Sequence, residues 1–151
     1  MKSISHLFAL ALVACMSSCK DNENNACLDV ITPAILDFKI VDESSGIDLF
    51  FSENPPFDKT NLTLRYRIKD TVFQTLNLNT ITSKQNHYFS VSLPLSTDTI
   101  FLQINTLSID TITYSAVISK DIPCSTYELE SLKFNKMPIS VEDNYPLLLR
   151  K

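Results

Sequence analysis

Glycine is almost absent from this chain of 151 residues: Gly46 is the only one, and there is no tryptophan. A nucleophile elbow of the G-x-S-x-G kind needs two glycines, and phosphate-cradling loops need several, so both are excluded. Histidine is nearly as scarce, with only His6 and His87. Two histidines and four cysteines without ligand spacing make an ordinary zinc site poor, and neither metal nor cofactor is expected. Bases are few and scattered: 13 Lys+Arg stand against 17 Asp+Glu, a formal net charge of −4. The densest basic group, Arg65, Arg67 and Lys69, alternates with Leu64, Tyr66 and Ile68. That reads as the wet face of a strand, and nucleic acid is not an expected partner. Long apolar runs are also missing beyond the first residues, so no transmembrane helix is expected.

What is present begins with a leader. Residues 1–18 read MKSISHLFALALVACMSS: a lysine, an unbroken apolar stretch from Leu7 to Val13, then small residues. That order is the order of a secretory signal peptide, and the apolar stretch is too short to span a bilayer. The segment ends in Met16-Ser17-Ser18-Cys19, which resembles the lipobox of bacterial lipoproteins. The resemblance implies that the Cys19 thiol is joined to diacylglycerol, that signal peptidase II cuts before it, and that the new amino terminus is acylated. Two or three acyl chains, palmitate among them, make a stable anchor where a single chain is marginal. Leu12-Val13-Ala14-Cys15 is a rival match. Cutting there would shorten the apolar region and leave three thiols in an oxidising compartment, so Cys19 is preferred.

After Cys19 the polar stretch Lys20-Asp21-Asn22-Glu23-Asn24-Asn25 cannot bury itself, so residues 19–33 are expected to form a lipidated, flexible tether. Cys-Lys-Asp-Asn-Glu is similar to the acidic export signal of Bacteroidetes lipoproteins, which implies display on the outer face of the outer membrane. A periplasm-facing lipoprotein is the alternative. Cys27 and Cys124 then remain as a pair, and a disulfide is the natural reading in a secreted chain. Such a bridge would close a loop for which chain entropy assigns about 4.7 kcal/mol. The alternative is two unpaired thiols.

From Ala34 onward the pattern has period two, the signature of half-buried antiparallel strands. Strands are expected at Ile35–Val41, Ile47–Phe51, Leu62–Lys69, Thr71–Leu78, His87–Leu93, Thr99–Asn105 and Thr111–Ser119, with Gly46 in a turn and Asn79–Asn86 a polar loop. In the register that serves the core, Leu62, Leu64, Tyr66 and Ile68 are buried while Arg65 and Arg67 face solvent. Ser125–Phe134 fits either a capped helix or a strand whose phase shifts at a bulge. The fold expected is all-β: an immunoglobulin-like antiparallel sandwich of about seven or eight short strands over residues 34–135. A small barrel is the alternative. The Cys…Trp…Cys signature of true immunoglobulin domains is absent. Residues 136–151 are expected to be an irregular tail.

Two groups bear on chemistry. Asp42, Glu43, Asp48, Glu53 and Asp58 cluster around the first turn and read first as solvated loop acids, then as calcium ligands. Asp70-Thr71-Val72, Asp98-Thr99-Ile100 and Asp110-Thr111-Ile112 repeat one tripeptide. Turn-then-strand propensities explain it, but it is also similar to the O-glycosylation sequon of secreted Bacteroidetes proteins, in which Thr71, Thr99 and Thr111 would carry sugar. The expected function is a cell-envelope lipoprotein with a non-enzymatic binding or accessory domain. It would meet the membrane through its lipid and a glycan or protein partner on the surface. A structural envelope component and a surface hydrolase are the alternatives.

Overall fold

A computed structural model describes residues 31–84, 86–119, 125–142 and 145–151. The leader, Cys19, Cys27 and Cys124 lie outside these residues. Within them the chain forms ten strands, and its only helical element is a 3-10 turn at Lys59–Asn61. They are β1 (Ile35–Val41), β2 (Leu62–Lys69), β3 (Val72–Thr75), β4 (Asn79–Thr82), β5 (His87–Ser92), β6 (Thr99–Ile104), β7 (Asp110–Ser119), β8 (Thr126–Phe134), β9 (Met137–Ile139) and β10 (Leu147–Arg150).

Two sheets face each other, one of four strands in the order β10-β1-β5-β4, the other of six in the order β3-β2-β6-β7-β8-β9. Each ends in open edges, so the barrel alternative falls and the sandwich stands. Alternation places the core. Leu36, Phe38 and Ile40 of β1 and Phe89 and Val91 of β5 meet Leu62, Leu64, Ile100, Leu102 and Ile112 of the larger sheet. Every pairing is antiparallel except β1 with β10, whose register sets Phe38 beside Leu147 and Val41 beside Arg150.

Four expectations are corrected. Ile47–Phe51 is no strand, because Asp48 Oδ1 accepts the N–H groups of Phe50 and Phe51 at 2.9 Å each and curls the chain into a turn. Its ladder with β1 is a single isolated bridge, Val41 to Asp48, beside which the Leu49 N–H donates to the Ile40 carbonyl at 2.9 Å and Lys39 pairs with Asp48. Asn79–Thr82, read as polar loop, is edge strand β4, paired with β5 from Asn79↔Ser90 to Thr82↔His87. The segment read as an irregular tail supplies β9 and β10, whose Leu147 and Leu149 are buried, so the folded unit extends to Lys151. At the other end, Thr32 bridges Thr126, so the expected tether already belongs to the fold by that residue.

The β2 register holds for Leu62 and Leu64, which are buried, and partly for Tyr66. Ile68 is 53% exposed. The reason is length: β2 pairs with β6 only as far as Tyr66↔Ile100, the register shifts between Arg67 and Lys69, and the β2–β3 hairpin overhangs the core. Ser125–Phe134 resolves as a strand. Ser115 pairs with Ser131 and Ala116 with Leu129, leaving Glu130 as the extra residue of a bulge. Tyr127 and Leu129 lie on one phase, Leu132 and Phe134 on the next.

The turn after β1 is built by one carboxylate. Asp42 Oδ1 accepts from the N–H and hydroxyl of Ser45 at 2.7 and 2.8 Å and from the Ser44 hydroxyl at 2.6 Å. Gly46 follows with φ of +71°, a conformation that glycine takes without penalty. The Ser44 hydroxyl first, then the Ser45 N–H, lower the Asp42 carboxyl to about 2. Because the folded value lies below the unfolded one, this stabilisation is present above the usual carboxylate range and is lost as pH falls through about 2.

Candidate functional site

β9 and β10, successive in sequence, belong to different sheets: β9 edges the six-stranded one and β10 the four-stranded one. β10 pairs with β1 only from Phe38 onward, and β9 pairs with β8 only at Leu132–Phe134. The first residues of β1 and the first half of β8 therefore lack those neighbours. They flank a hollow of about 340 Å³ lined by Ile35, Asp37, Tyr127, Glu128, Leu129, Val141, Tyr145 and Leu147, with Thr32, Pro33 and Thr126.

Alternation in β1 turns Leu36 and Phe38 into the core and Asp37 away from it. The Tyr145 hydroxyl donates to Asp37 Oδ2 at 2.7 Å and lies 3.0 Å from the Tyr88 hydroxyl. A phenol has one proton, so with Tyr145's given to Asp37, Tyr88 is the donor in the second bond. The two rings meet edge to face with centroids 5.6 Å apart. The Tyr88 hydroxyl, then the Asp37 carboxylate, push the Tyr145 hydroxyl well above the usual phenol range. Tyr145 is 71% exposed and lines the hollow. Asp37 Oδ1, by contrast, is buried and has no hydrogen-bond partner in the protein. Such an atom is costly to leave without a donor. The lining carries two acids, Asp37 and Glu128, and no base, against aliphatic walls. The arrangement suits a ligand that donates hydrogen bonds and carries positive charge.

A second hollow of about 450 Å³ on the same side is lined by Glu43, Met137, Pro138, Leu148 and Arg150 among others. It has one acid and one base and no orphaned polar atom. The first hollow is the stronger candidate.

The residues singled out from sequence fall elsewhere. Three acids of the first-turn cluster are engaged locally: Asp42 and Asp48 as described, and Asp58 by capping the 3-10 turn through the Thr60 N–H at 2.9 Å. Among the described residues no group of three or more His, Cys, Asp and Glu could hold a metal ion. His87 is exposed and stacks on Phe51, centroids 6.1 Å apart. The three Asp-Thr repeats do not share one environment. Thr71 is exposed in the β2–β3 turn, Thr99 is half-buried with its hydroxyl on Asp98 Oδ1 at 2.8 Å, and Thr111 is half-buried. Asp110 is buried and paired with Lys151. Arg65 and Arg67 do leave the core, yet they lie against Phe73 and Phe101 rather than free in water.

Tyr145 and Asp37 were missed because each comes from a stretch with no chemical motif. The nearest signal was a lone acid at an outward position of an otherwise apolar strand. Among the described residues no helix is long and apolar enough to cross a membrane, which says nothing about strands. Comparison with known proteins gives no match: no family model, no curated protein and no solved structure resembles the chain at a significant level.

Proposed function

We propose that this protein is a lipoprotein of the bacterial outer membrane, anchored through Cys19 and facing the cell surface, whose sandwich is a non-catalytic module binding a small organic cation beside Asp37. The apolar leader ending in Ser17-Ser18-Cys19 supports the address. One observation carries the binding half: two acids, Asp37 and Glu128, line a hollow that holds no base. A carboxylate oxygen can only accept, so what binds beside these acids must donate. An ammonium supplies the donor and the charge together, its carbon chain suits Ile35, Leu129 and Leu147, and Tyr145 offers a ring face to the cation.

The address is tested by labelling cells with a fatty acid. Cys19→Ala should abolish both the label and partitioning into detergent. A label that survives this change and is removed by Cys15→Ala would reassign the anchor. The binding half is tested with n-butylamine, cadaverine and, as a neutral polyol, glucose. The chain has five tyrosines and no tryptophan to mask their emission, and two of the five, Tyr127 and Tyr145, line the hollow, so their share of the tyrosine signal reports on it. The two amines should perturb it and glucose should not. Asp37→Asn should weaken amine binding by about 10- to 150-fold, the equivalent of ~1.5–3 kcal/mol for a hydrogen bond to a charged group. An unchanged affinity would overturn the reading.

A further inference from the structure

The outer face of the six-stranded sheet carries a feature unrelated to the hollow. β2 sends Arg65 and Arg67 outward beside Phe73 of β3 and Phe101 of β6, with Arg67 paired to Phe73 and Arg65 to Phe101 in the register. The Arg65 guanidinium lies 5.6 Å from the Phe73 ring centre, and that of Arg67 lies 5.4 Å from Phe73 and 5.7 Å from Phe101. The rings pack edge to face at 5.5 Å. We propose that this guanidinium–phenyl ladder is the binding face for an acidic polysaccharide.

Charge is the first argument. In a chain with 17 acids and 13 bases, surface guanidinium groups would be expected to find carboxylates. The ion pairs among the described residues are Lys39–Asp48 and Lys151–Asp110, so neither arginine is in one. Two acids of this sheet have hydroxyl partners instead: Glu130 accepts from the Ser115 hydroxyl at 3.1 Å and Asp98 from that of Thr99. Arg65 is also fixed. Its Nη2 donates to Gln103 Oε1 at 2.9 Å, while its Nε is buried without a partner.

Geometry is the second. Both guanidinium planes are held near phenyl rings, and each keeps donors in the planar fork that matches a carboxylate or a sulfate. Phe73 has two guanidinium groups over it, so the face presents charge and donors rather than bare rings for stacking bases. Spacing is the third. Thr99 pairs with Thr113, and Thr113 with Lys133, which places a third outward cation three strands from β2, or about 14 Å at ~4.8 Å per strand. A lone anion cannot reach both ends, whereas a chain of acidic sugars can. Between them lie the hydroxyls of Thr99, Thr111 and Thr113, suited to the neutral hydroxyls of such a chain.

The test uses the full-length protein, produced in a host that adds no glycan and purified in detergent. Affinity electrophoresis is run at low salt through polygalacturonate, through its methyl ester, through heparin and against oligo(dT). Polygalacturonate or heparin should retard the protein and the uncharged ester should not; which of the two is preferred tells uronate from sulfate. The double change Arg65→Ala, Arg67→Ala should weaken binding at least tenfold, and Arg67→Lys, which keeps charge but loses the fork, should weaken it by a smaller factor. Because the arginine stems also pack, each variant is first matched to the parent by its thermal transition, and Arg67→Gln, which preserves the stem, serves if the double variant unfolds. No retardation by either polyanion, an undiminished affinity in Arg67→Gln, or oligo(dT) bound as tightly as the polysaccharides would overturn the proposal.

Discussion

Phe89→Ala is expected to lower the unfolding free energy by about 3–5 kcal/mol, the usual cost of removing a buried aromatic side chain. Phe89 is 1% exposed, and three other rings converge on it. Phe38 comes from the neighbouring strand with centroids 5.6 Å apart, Phe50 meets it edge-on at 5.2 Å, and Phe51 lies at 4.8 Å. Those partners arrive by two independent routes. Phe38 is placed by the β1–β5 register, whereas Phe50 and Phe51 are placed by the turn that Asp48 makes with its own side chain. Neither route can close on a void without breaking ladder or turn hydrogen bonds, so the cavity should persist and the cost should lie toward the upper end. For a domain whose total stability is on the order of 5–15 kcal/mol, that is a large fraction. Urea unfolding measures it as a shift in midpoint at constant slope. Phe89→Leu should recover part of the loss. A cost below about 1.5 kcal/mol for the alanine variant would show that the ring cluster is not packed as described.

The same cluster shows what sequence pattern could and could not supply. β1, β2, β5, β6 and β7 were legible because each alternates apolar and polar residues over five or more positions, and one face has a sheet to meet. β8 was legible down to its phase shift, since Tyr127 and Leu129 against Leu132 and Phe134 cannot lie on one face without an extra residue. Ile47–Phe51 misled because its apolar residues look like a strand, while a single aspartate, Asp48, decides the local conformation through its side chain. β4 was hidden by its composition, Asn-Thr-Ile-Thr, which an edge strand tolerates because little of it is buried. β9 and β10 were hidden by shortness, and β10 also by a partner far away in sequence. The candidate site depends on that last point. Tyr145 reaches Asp37 only because β10 lies parallel to β1, and no periodicity encodes which distant strand a four-residue segment joins.

Lys151→Met is expected to cost about 3–5 kcal/mol, because it strands a charge that the fold has already desolvated. Asp110 opens β7 with its side chain 8% exposed, and the Lys151 ammonium, 15% exposed, is ion-paired to Asp110 Oδ2. The other oxygen accepts from Asn135 Nδ2 at 2.9 Å, and Lys151 Nζ also donates to the Ser108 carbonyl at 3.2 Å. Asn135 in turn takes the Thr111 N–H on its own side-chain oxygen at 2.9 Å. The backbone of Lys151 is held as well: its N–H donates to the Val41 carbonyl at 2.9 Å and its carbonyl accepts from the Glu43 N–H at 2.8 Å. One residue thus ties the end of β1 in the smaller sheet to the start of β7 in the larger. Methionine keeps the stem and the backbone bonds, so its loss isolates the ion pair. Asn135 still serves one oxygen of the stranded carboxylate, which places the expected cost near 3 rather than 5 kcal/mol. Removing both charges is a different case, since a neutral pair leaves no charge stranded, and the Asn135 amide and Ser108 carbonyl that lose a partner belong to exposed residues that water can serve. The double change Lys151→Met, Asp110→Leu should therefore cost clearly less than the sum of the two single changes, with a coupling of at least about 1 kcal/mol in a double-mutant cycle. Additive effects would mean that the two groups do not interact in solution. The same pairing separates Asp110 from the other two Asp-Thr repeats: a substitution there acts on the fold, so modification at Thr111 has to be tested at the threonine itself.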